Sequence, residues 1–254
     1  MALLDVSDVS KRFGGNEVIS HATFAVQKDT ITAILGPNGA GKTTLFNMIT
    51  GVLRPTSGNI LFGGKSITNV RVPEIVRMGI ARTFQKLRLF KNLTALENVA
   101  ISRLSLGEVS WPMAFLGARS SRQEEKKAVE EACELLSFVG LGGFENARAG
   151  SLAHGQQRLL EIARAMALHP ACLLLDEPMA GLNPEDSTRL AGSLLRIRER
   201  GMTILLIEHH VDVVMDIADH IVVLDFGKII SEGLPEQVQS DPRVIEAYLG
   251  GKVN

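Results

Sequence analysis

The eight residues from 36 to 43 constrain the fold of this chain more than any other segment. They read GPNGAGKT and fit the pattern G-x-x-x-x-G-K-[ST], in which glycines let main-chain N–H groups close around a polyphosphate. Lys42 is expected to reach the β- and γ-phosphates, and the Thr43 hydroxyl can ligate Mg²⁺. The segment therefore predicts a site for a nucleoside triphosphate. The residues predicted to line it are Gly36, Pro37, Asn38, Gly39, Ala40, Gly41, Lys42, Thr43 and Thr44.

The motif lies between a predicted strand and a predicted helix. Residues 30–35 form a short apolar, β-branched run that is typical of a strand buried on both faces of a parallel sheet. Leu45, Met48 and Ile49 then recur at helical spacing. Gly51 follows at a position where it can end the helix. A glycine-rich turn that merely contains a lysine is the alternative, and the strand, loop and helix order favours the phosphate site.

Length, charge and cysteine content limit the classes of function. The chain has 254 residues, 45% of them apolar, so it can bury the core of one large domain or of two lobes. Its 27 basic and 28 acidic residues give a formal net charge of −1, so no nucleic-acid partner is expected. Cys133 and Cys172 lie in apolar segments without metal or redox spacing, which predicts buried free thiols. No apolar run approaches about 18 residues, so a membrane role is expected through a partner.

A second apolar run, residues 172–178, contains two adjacent carboxylates where the strand is predicted to end. Ligands of open α/β sheets bind beyond the carboxyl ends of the strands, and Asp176 and Glu177 stand at such an end. Asp176 is predicted to hold Mg²⁺, directly or through water, and Glu177 to orient and deprotonate an attacking water. Taken alone, the pair is also typical of an ordinary strand that ends in solvated acids. Its combination with the phosphate loop favours the catalytic interpretation.

Strands alternate with a helix toward the C-terminus. Residues 202–207 and 221–224 are strand-length apolar runs, and a helical stretch at 211–218 separates them. This alternation predicts a parallel sheet. The N-terminal part differs, because its strands follow one another through Gly or Asn turns without helices, which predicts an antiparallel layer. These N-terminal strands are residues 3–13, 17–26 and 59–62.

The middle of the chain, residues 87–168, is mostly helical in pattern. A helix is predicted over residues 124–139, where one apolar stripe ends at Gly140. The stripe consists of Ala128, Ala132, Leu135 and Val139. An inserted helical lobe is therefore expected between the two parts of the α/β core.

The order of these motifs resembles that of the ATP-binding cassette (ABC) ATPases. The matching segments are Walker A at 36–43, a glutamine loop at 83–85, a signature loop at 152–156, Walker B at 172–177 and a switch histidine at His209. The motifs after the first are modest alone, but their order and spacing extend across nearly the whole chain. The resemblance implies an α/β P-loop NTPase (RecA-like) core with an antiparallel β layer and an inserted helical lobe.

The resemblance also implies one cassette domain of residues 1–254 made of two lobes. The nucleotide-binding core would comprise residues 1–86 and 161–254, and the helical lobe residues 87–160 with the signature loop. ATP and Mg²⁺ are the implied cofactors.

Family resemblance then implies roles in ATP hydrolysis. Phe13 resembles the aromatic residue that stacks on adenine, where the family more often has tyrosine; a core strand residue is the alternative. Gln85 resembles the residue that contacts Mg²⁺ and the attacking water and signals to the transport subunit. His209 resembles the histidine that contacts the γ-phosphate and holds the water and Glu177 in register. The implied catalytic residues are Glu177, His209 and Gln85, and the implied Mg²⁺ ligands are Thr43, Gln85 and Asp176.

The signature loop implies a dimer of cassettes. In the family this loop presents the N-terminus of its helix to the γ-phosphate held by the other protomer, so that two ATP molecules lie between two cassettes. Ala153 departs from the usual serine, and loss of one hydroxyl contact is expected to weaken the closed dimer by ~1–3 kcal/mol unless backbone amides compensate. Asn183 replaces the commoner aspartate in the loop that crosses the interface. The signature loop residues are Leu152, Ala153, His154, Gly155 and Gln156.

A narrower resemblance points to importer cassettes for branched-chain amino acids. It depends on the segments ARTFQ at 81–85, RLF at 88–90, LA at 152–153, AGLNP at 180–184 and IEAYLG at 245–250. Residues 106–119 resemble an extra stretch that these subunits carry in the helical lobe.

This narrower resemblance implies partners and a location. The expected partners are integral-membrane permease subunits, a second ATP-binding cassette as a homo- or heterodimer, and, indirectly, a periplasmic or extracellular solute-binding protein. The expected location is the cytoplasmic face of the inner membrane. A urea or amide importer and a lipopolysaccharide exporter cassette are alternatives within transport. A non-transport ABC ATPase is a further alternative, although the sequence has neither a coiled-coil insertion nor a second cassette.

Overall fold

A six-stranded sheet and a four-stranded sheet organise the part of the chain that the computed structural model describes. This part comprises residues 2–83, 85, 87–105 and 119–249, without the side chains of residues 119–122 and 249. Its strands are β1 Ala2–Phe13, β2 Asn16–Gln27, β3 Ile31–Leu35, β4 Ser57–Phe62, β5 Lys65–Ser66, β6 Ile80–Arg82, β7 Cys172–Asp176, β8 Thr203–Ile207, β9 His220–Asp225 and β10 Lys228–Gly233. Its α-helices are α1 Lys42–Ile49, α2 Val72–Arg77, α3 Ala95–Leu104, α4 Arg119–Phe138, α5 His154–Met166, α6 Pro184–Glu199, α7 Val211–Ile217, α8 Pro235–Gln239 and α9 Pro242–Leu249.

The larger sheet has the strand order β10-β9-β3-β8-β7-β6. All of its pairs are parallel except β9 with β10. Every residue of β3, β7 and β8 is buried, as apolar runs covered on both faces require. The predicted parallel sheet is confirmed, and the carboxyl ends of its five parallel strands meet at one edge, where the motif loops begin.

The smaller sheet has the order β2-β1-β4-β5, and its pairs are antiparallel. Its inward residues join one buried cluster with α1 and with one face of the larger sheet; Val6, Phe46 and Leu205 are examples from the three layers. The predicted antiparallel layer is therefore confirmed, and α1 lies between the two sheets.

A hairpin turn joins the two sheets at the phosphate loop. Between β9 and β10, the Gly227 N–H donates to the Ala40 carbonyl at 2.9 Å, and the Gly227 carbonyl accepts from the Ser20 N–H at 2.9 Å. A Cβ at Gly227 would stand 2.3 Å from the Val18 carbonyl oxygen, so only glycine fits this close approach.

The helices α3, α4 and α5 pack together through buried residues such as Val99, Leu136 and Leu160. Helix α3 begins with a capping box, since the Thr94 hydroxyl accepts from the Glu97 N–H at 3.1 Å and the Glu97 carboxylate accepts from the Thr94 N–H at 2.7 Å. The predicted helix at 124–139 is confirmed as α4, which begins five residues earlier. The lobe boundary predicted at residues 160 and 161 falls inside α5, and the division into lobes stays a prediction.

The two cysteines differ in burial. Cys172 on β7 is buried, as predicted, and Cys133 on α4 is only partly buried. The expectation of a buried thiol is wrong at position 133 because the buried stripe of α4 follows Ala128, Ala132 and Leu136, which turns position 133 toward the edge of the stripe. Both thiols are free. Among the described helices, none combines the length and the apolar character that crossing a bilayer requires.

Candidate nucleotide-binding site

The segment that reads GPNGAGKT comprises the loop between β3 and α1 and the first two residues of α1. A Cβ at Gly36 would lie 2.0 Å from the Leu224 carbonyl oxygen, and one at Gly41 would lie 2.6 Å from Ile19 Cδ1. Glycine is therefore required at both positions, and Gly41 has the left-handed φ of 106°. The loop borders a cavity of about 260 Å³ lined by Val18, residues 38–44 and Glu177.

Lys42 is the first residue of α1, directly after this loop, and its side chain is almost fully buried. Its Nζ donates to the carbonyl oxygens of Gly36 at 2.6 Å and Pro37 at 2.9 Å. Burial lowers the pKa of Lys42, and the nearby charges of Glu177 and Asp176 act in the opposite direction. The loop lysine and the two strand-end carboxylates thus share one electrostatic environment.

Asp176 ends β7 with its side chain buried. Its Oδ2 accepts from Arg82 Nη2 at 2.7 Å, and Arg82 Nη1 donates to Asn47 Oδ1 at 2.6 Å and Thr50 Oγ1 at 3.1 Å. Arg82 had no predicted role beyond its place in the segment at 81–85. The signal in the sequence was its position three residues before Gln85.

The three predicted catalytic residues lie together, because Glu177 lines the cavity and both Gln85 and His209 approach its carboxylate. Glu177 Oε2 accepts from Gln85 Nε2 at 2.7 Å, and Glu177 Oε1 lies 3.7 Å from His209 Nδ1. The Glu177 N–H donates to the Ile207 carbonyl at 3.0 Å, which ties the turn after β7 to the end of β8. Glu177 has a φ of 49°, a left-handed conformation that is uncommon for a residue other than glycine.

Phe13 lies at the end of β1 and is 48% exposed. The alternative of a core residue is wrong, because the end of the strand extends beyond the buried part of the sheet. The Lys11 ammonium lies 5.0 Å from the centre of the Phe13 ring. A contact of Phe13 with adenine stays a prediction.

The predicted signature loop leads into α5. The Ala153 N–H donates to Gln156 Oε1 at 3.0 Å, and Ala153 itself offers no side-chain acceptor to the first turn of the helix. A Cβ at Gly155 would stand 2.9 Å from the Asp186 carboxyl carbon, so glycine permits a close approach to α6. No residue of this loop lines the cavity of the phosphate loop in the described part of the chain.

The loop before α6 carries Asn183, which caps that helix. Its side-chain oxygen accepts from the Asp186 N–H at 2.8 Å. The predicted crossing of a dimer interface by this loop stays a prediction.

The predicted Mg²⁺ ligands fit that ion by their chemistry. They offer the Thr43 hydroxyl, an Asp176 carboxylate and the Gln85 amide oxygen, and Mg²⁺ prefers such oxygen donors. Gln85 uses its Nε2 on Glu177, which leaves the amide oxygen as the end able to meet a cation.

A glycine-rich loop between a parallel strand and a helix, a lysine within it and two carboxylates beyond a nearby strand define the chain as a P-loop nucleoside triphosphatase. Residues 19–180 match the family model described as "ABC transporter", and residues 228–254 match the one described as "Branched-chain amino acid ATP-binding cassette transporter". The chain belongs to the ABC transporter family, as one of its ATP-binding cassettes, and ATP hydrolysis is its activity.

Known proteins resemble the chain over nearly its full length. The high-affinity branched-chain amino acid transport ATP-binding protein BraF of Pseudomonas aeruginosa is 43% identical over 249 residues, which are 98% of each chain. The crystal structure of the ADP conformation of MJ1267, an ATP-binding cassette of an ABC transporter, is 37% identical with a TM-score of 0.86 and covers 98% of this chain and 99% of its own. The dimeric bacterial ABC transporter cassette MJ0796 is 25% identical with a TM-score of 0.76, over 91% of this chain and 98% of its own.

Proposed function

We propose that this chain is the ATP-hydrolysing subunit of an importer that takes up branched-chain amino acids or a related small polar solute. The cargo is supported by the similarity to BraF, a branched-chain amino acid transport protein, and by the family match of the C-terminal residues. The observation that supports the hydrolytic role most directly is the approach of Gln85 and His209 to the carboxylate of Glu177, which lines the cavity of the phosphate loop.

In this proposal the phosphate loop and Phe13 bind ATP. The loop amides and Lys42 bind the phosphates, and the half-exposed ring of Phe13 stacks on adenine. Thr43, Asp176 and Gln85 would hold Mg²⁺, which when bound neutralises charge on the phosphate oxygens.

Glu177 is the proposed general base. Its carboxylate takes the proton of the attacking water, while His209 on one side and Gln85 on the other fix its two oxygens. His209 is also proposed to contact the γ-phosphate. Because the three side chains come from different loops, their contact can change when the loops move relative to one another.

A second cassette is proposed to complete the site. The first turn of α5, which follows Leu152 and Ala153, carries free N–H groups that favour an anion, and we assign it to the γ-phosphate bound by the partner cassette. The dimeric structure of MJ0796 supports this assembly. ATP binding would close the dimer and hydrolysis would reopen it.

The proposed permease contact is a groove of about 520 Å³ beside α5, the helix that follows the signature loop. Its lining includes both apolar and charged side chains, which suits a short amphipathic helix of a membrane subunit. The groove lies next to the end of β6, from which the chain continues to Gln85, so docking there can be transmitted to Glu177. The membrane subunit would hold the cassette at the cytoplasmic face of the membrane. Lining residues include Arg82, Arg88, Phe90, Glu161, Arg164 and Leu168.

The test is to copurify the chain with its membrane subunits and to measure ATP hydrolysis in proteoliposomes that contain the solute-binding protein. We expect leucine, isoleucine or valine on the external side to stimulate hydrolysis and to be taken up. If only urea or an amide stimulates ATP hydrolysis, that solute and not a branched-chain amino acid is the cargo. Movement of lipopolysaccharide outward, without solute uptake, would contradict the importer function.

A further inference from the structure

A fully buried carboxylate that no motif assigns connects the two turns carrying Glu177 and His209. Glu208 follows β8 and has no exposed surface. Its Oε1 accepts from the Met179 N–H at 2.8 Å. Its Oε2 accepts from the His209 N–H at 3.1 Å and lies 3.1 Å from His210 Nδ1. A buried carboxylate needs such partners, because burying it without hydrogen bonds is costly.

The bond to Met179 acts on the turn of the proposed base. Met179 is fully buried and stands two residues after Glu177, whose left-handed backbone persists only where the surrounding structure fixes it. Two bonds cross from the end of β8 to this turn: the Ile207 carbonyl accepts from the Glu177 N–H, and Glu208 accepts from the Met179 N–H. Together they fix the direction in which the Glu177 side chain leaves the sheet.

The other carboxylate oxygen acts on the histidine turn. It accepts from the backbone N–H of His209 and pairs with the ring of His210. The two imidazole rings lie 4.6 Å apart with an interplanar angle of 30°. Glu208 therefore orients the backbone of His209 and also the ring of His210, which packs against the ring of His209.

We propose that Glu208 is a positioning residue for ATP hydrolysis, which keeps the turn of Glu177 and the turn of His209 at a fixed separation. This inference depends on the proposed roles of those two residues. Glu208 itself does not line the cavity of the phosphate loop. Its loss should therefore slow hydrolysis without loss of nucleotide binding.

The test is Glu208→Gln in the full-length chain. Glutamine keeps the size, but it has one acceptor oxygen for two opposed N–H donors, so its amide nitrogen must face one of them. We expect kcat to fall at least about tenfold while the Kd for Mg-ATP changes less than about threefold. We also expect the variant to accumulate the ATP-bound dimer, because hydrolysis would be blocked after ATP has bound. A general loss of stability would not cause this accumulation.

Asp219→Asn is the matched control. The Asp219 carboxylate also accepts a backbone N–H, from Ile31 at 2.8 Å, and a side-chain N–H, from Arg198 at 2.8 Å, at the opposite end of β3 from the phosphate loop. We expect this variant to keep kcat within about twofold of the unsubstituted chain. A similar loss of kcat in Glu208→Gln and Asp219→Asn would overturn the proposal. A kcat of Glu208→Gln within about twofold of the unsubstituted chain would also overturn it.

His210 provides a second test if Glu208→Gln does not fold, because its half-exposed side chain can be changed without opening the core. His210→Asn keeps a donor toward Glu208, and His210→Phe keeps a ring but removes the donor. A lower kcat for the phenylalanine variant alone supports the proposal, and equal kcat values contradict it. If the unsubstituted chain hydrolyses no ATP, the proposed function fails; normal hydrolysis in every variant refutes only the positioning role.

Discussion

Arg82 and Asp176 form a buried ion pair that connects the strand before Gln85 to a proposed Mg²⁺ ligand. Arg82 Nη2 lies 2.7 Å from Asp176 Oδ2, and the two side chains are 8% and 4% exposed. The guanidinium also lies 5.6 Å from the centre of the Phe46 ring, and it donates to the side chains of Asn47 in α1 and of Thr50, the residue after that helix. One side chain therefore touches the larger sheet, α1 and the edge of the proposed permease groove.

Arg82→Ala is expected to destabilise the chain strongly. It leaves the Asp176 carboxylate buried without its cation, which typically costs about 3–5 kcal/mol in the free energy of unfolding. Arg12→Ala is the control, since it removes an ion pair of similar length, 2.9 Å to Glu17, in which the arginine is 61% exposed. That change should cost no more than about 1 kcal/mol. Urea unfolding measures both, and equal losses would contradict the prediction.

Glu177→Gln is expected to keep ATP binding and to lose turnover. The amide cannot accept the proton of the attacking water, so kcat should fall by a factor of about 10²–10⁴. Calorimetry gives the affinity for Mg-ATP, and phosphate release gives kcat. Normal turnover in the purified variant would refute the assignment of Glu177 as the base.

Lys42→Ala is expected to lose nucleotide affinity. A hydrogen bond to a charged group contributes about 1.5–3 kcal/mol, so the Kd for Mg-ATP should rise by a factor of about 10–100. Lys65→Ala removes an exposed lysine of β5 and serves as the control. If the two variants bind Mg-ATP equally well in calorimetry, Lys42 does not contact the phosphates.

Ala153→Ser is expected to stabilise both α5 and the closed dimer. Ala153 occupies the N-cap with an extended ψ of 156°, a geometry in which a serine oxygen can accept from the first turn; such a cap contributes about 1 kcal/mol. Thermal unfolding measures this gain, and sedimentation with ATP measures dimer formation. Asn183→Ala removes the existing cap of α6 and should lower the unfolding temperature. An Ala153→Ser chain of unchanged stability and dimer affinity would refute the prediction.

The two thiols are expected to react at very different rates. Burial raises the pKa of Cys172 to about 12, so at about pH 8 this residue remains a protonated thiol, and only the thiolate reacts with a disulfide reagent. Cys133 is partly exposed on α4. One thiol per folded chain, that of Cys133, should therefore react quickly. In denaturant both thiols should react quickly. Fast reaction of both in the folded chain would contradict the burial of Cys172.

The sequence was sufficient to predict the parallel sheet and the convergence of Gln85, Glu177 and His209. Strands buried on both faces have a strong apolar signal, and motifs placed after parallel strands must meet at one edge. Strand β10 was not predicted, because its burial is partial and a register shift between Ile229 and Ser231 interrupts its alternation.

The partners of buried charges could not be predicted. Arg82 meets Asp176 across 94 positions of sequence, and Glu208 meets Met179 across 29. A charged residue in an apolar run has no periodicity that identifies its partner, so these contacts appear only when the strands are placed in order. Residues 106–118 of the predicted extra stretch lie outside the described part of the chain, and its last residue, Arg119, begins α4. Phe84 of the glutamine loop also lies outside the described part.

The turn at Gly227 has a consequence for which molecules the site can accept. The turn accepts a hydrogen bond from the Ser20 N–H in β2 and donates one to the Ala40 carbonyl in the phosphate loop, so it connects that loop to β2, the neighbour of the strand that carries Phe13. The distance between the proposed base contact and the phosphate loop should therefore stay nearly constant. A nucleotide whose base and terminal phosphate are separated by a different distance would contact only one of these two sites.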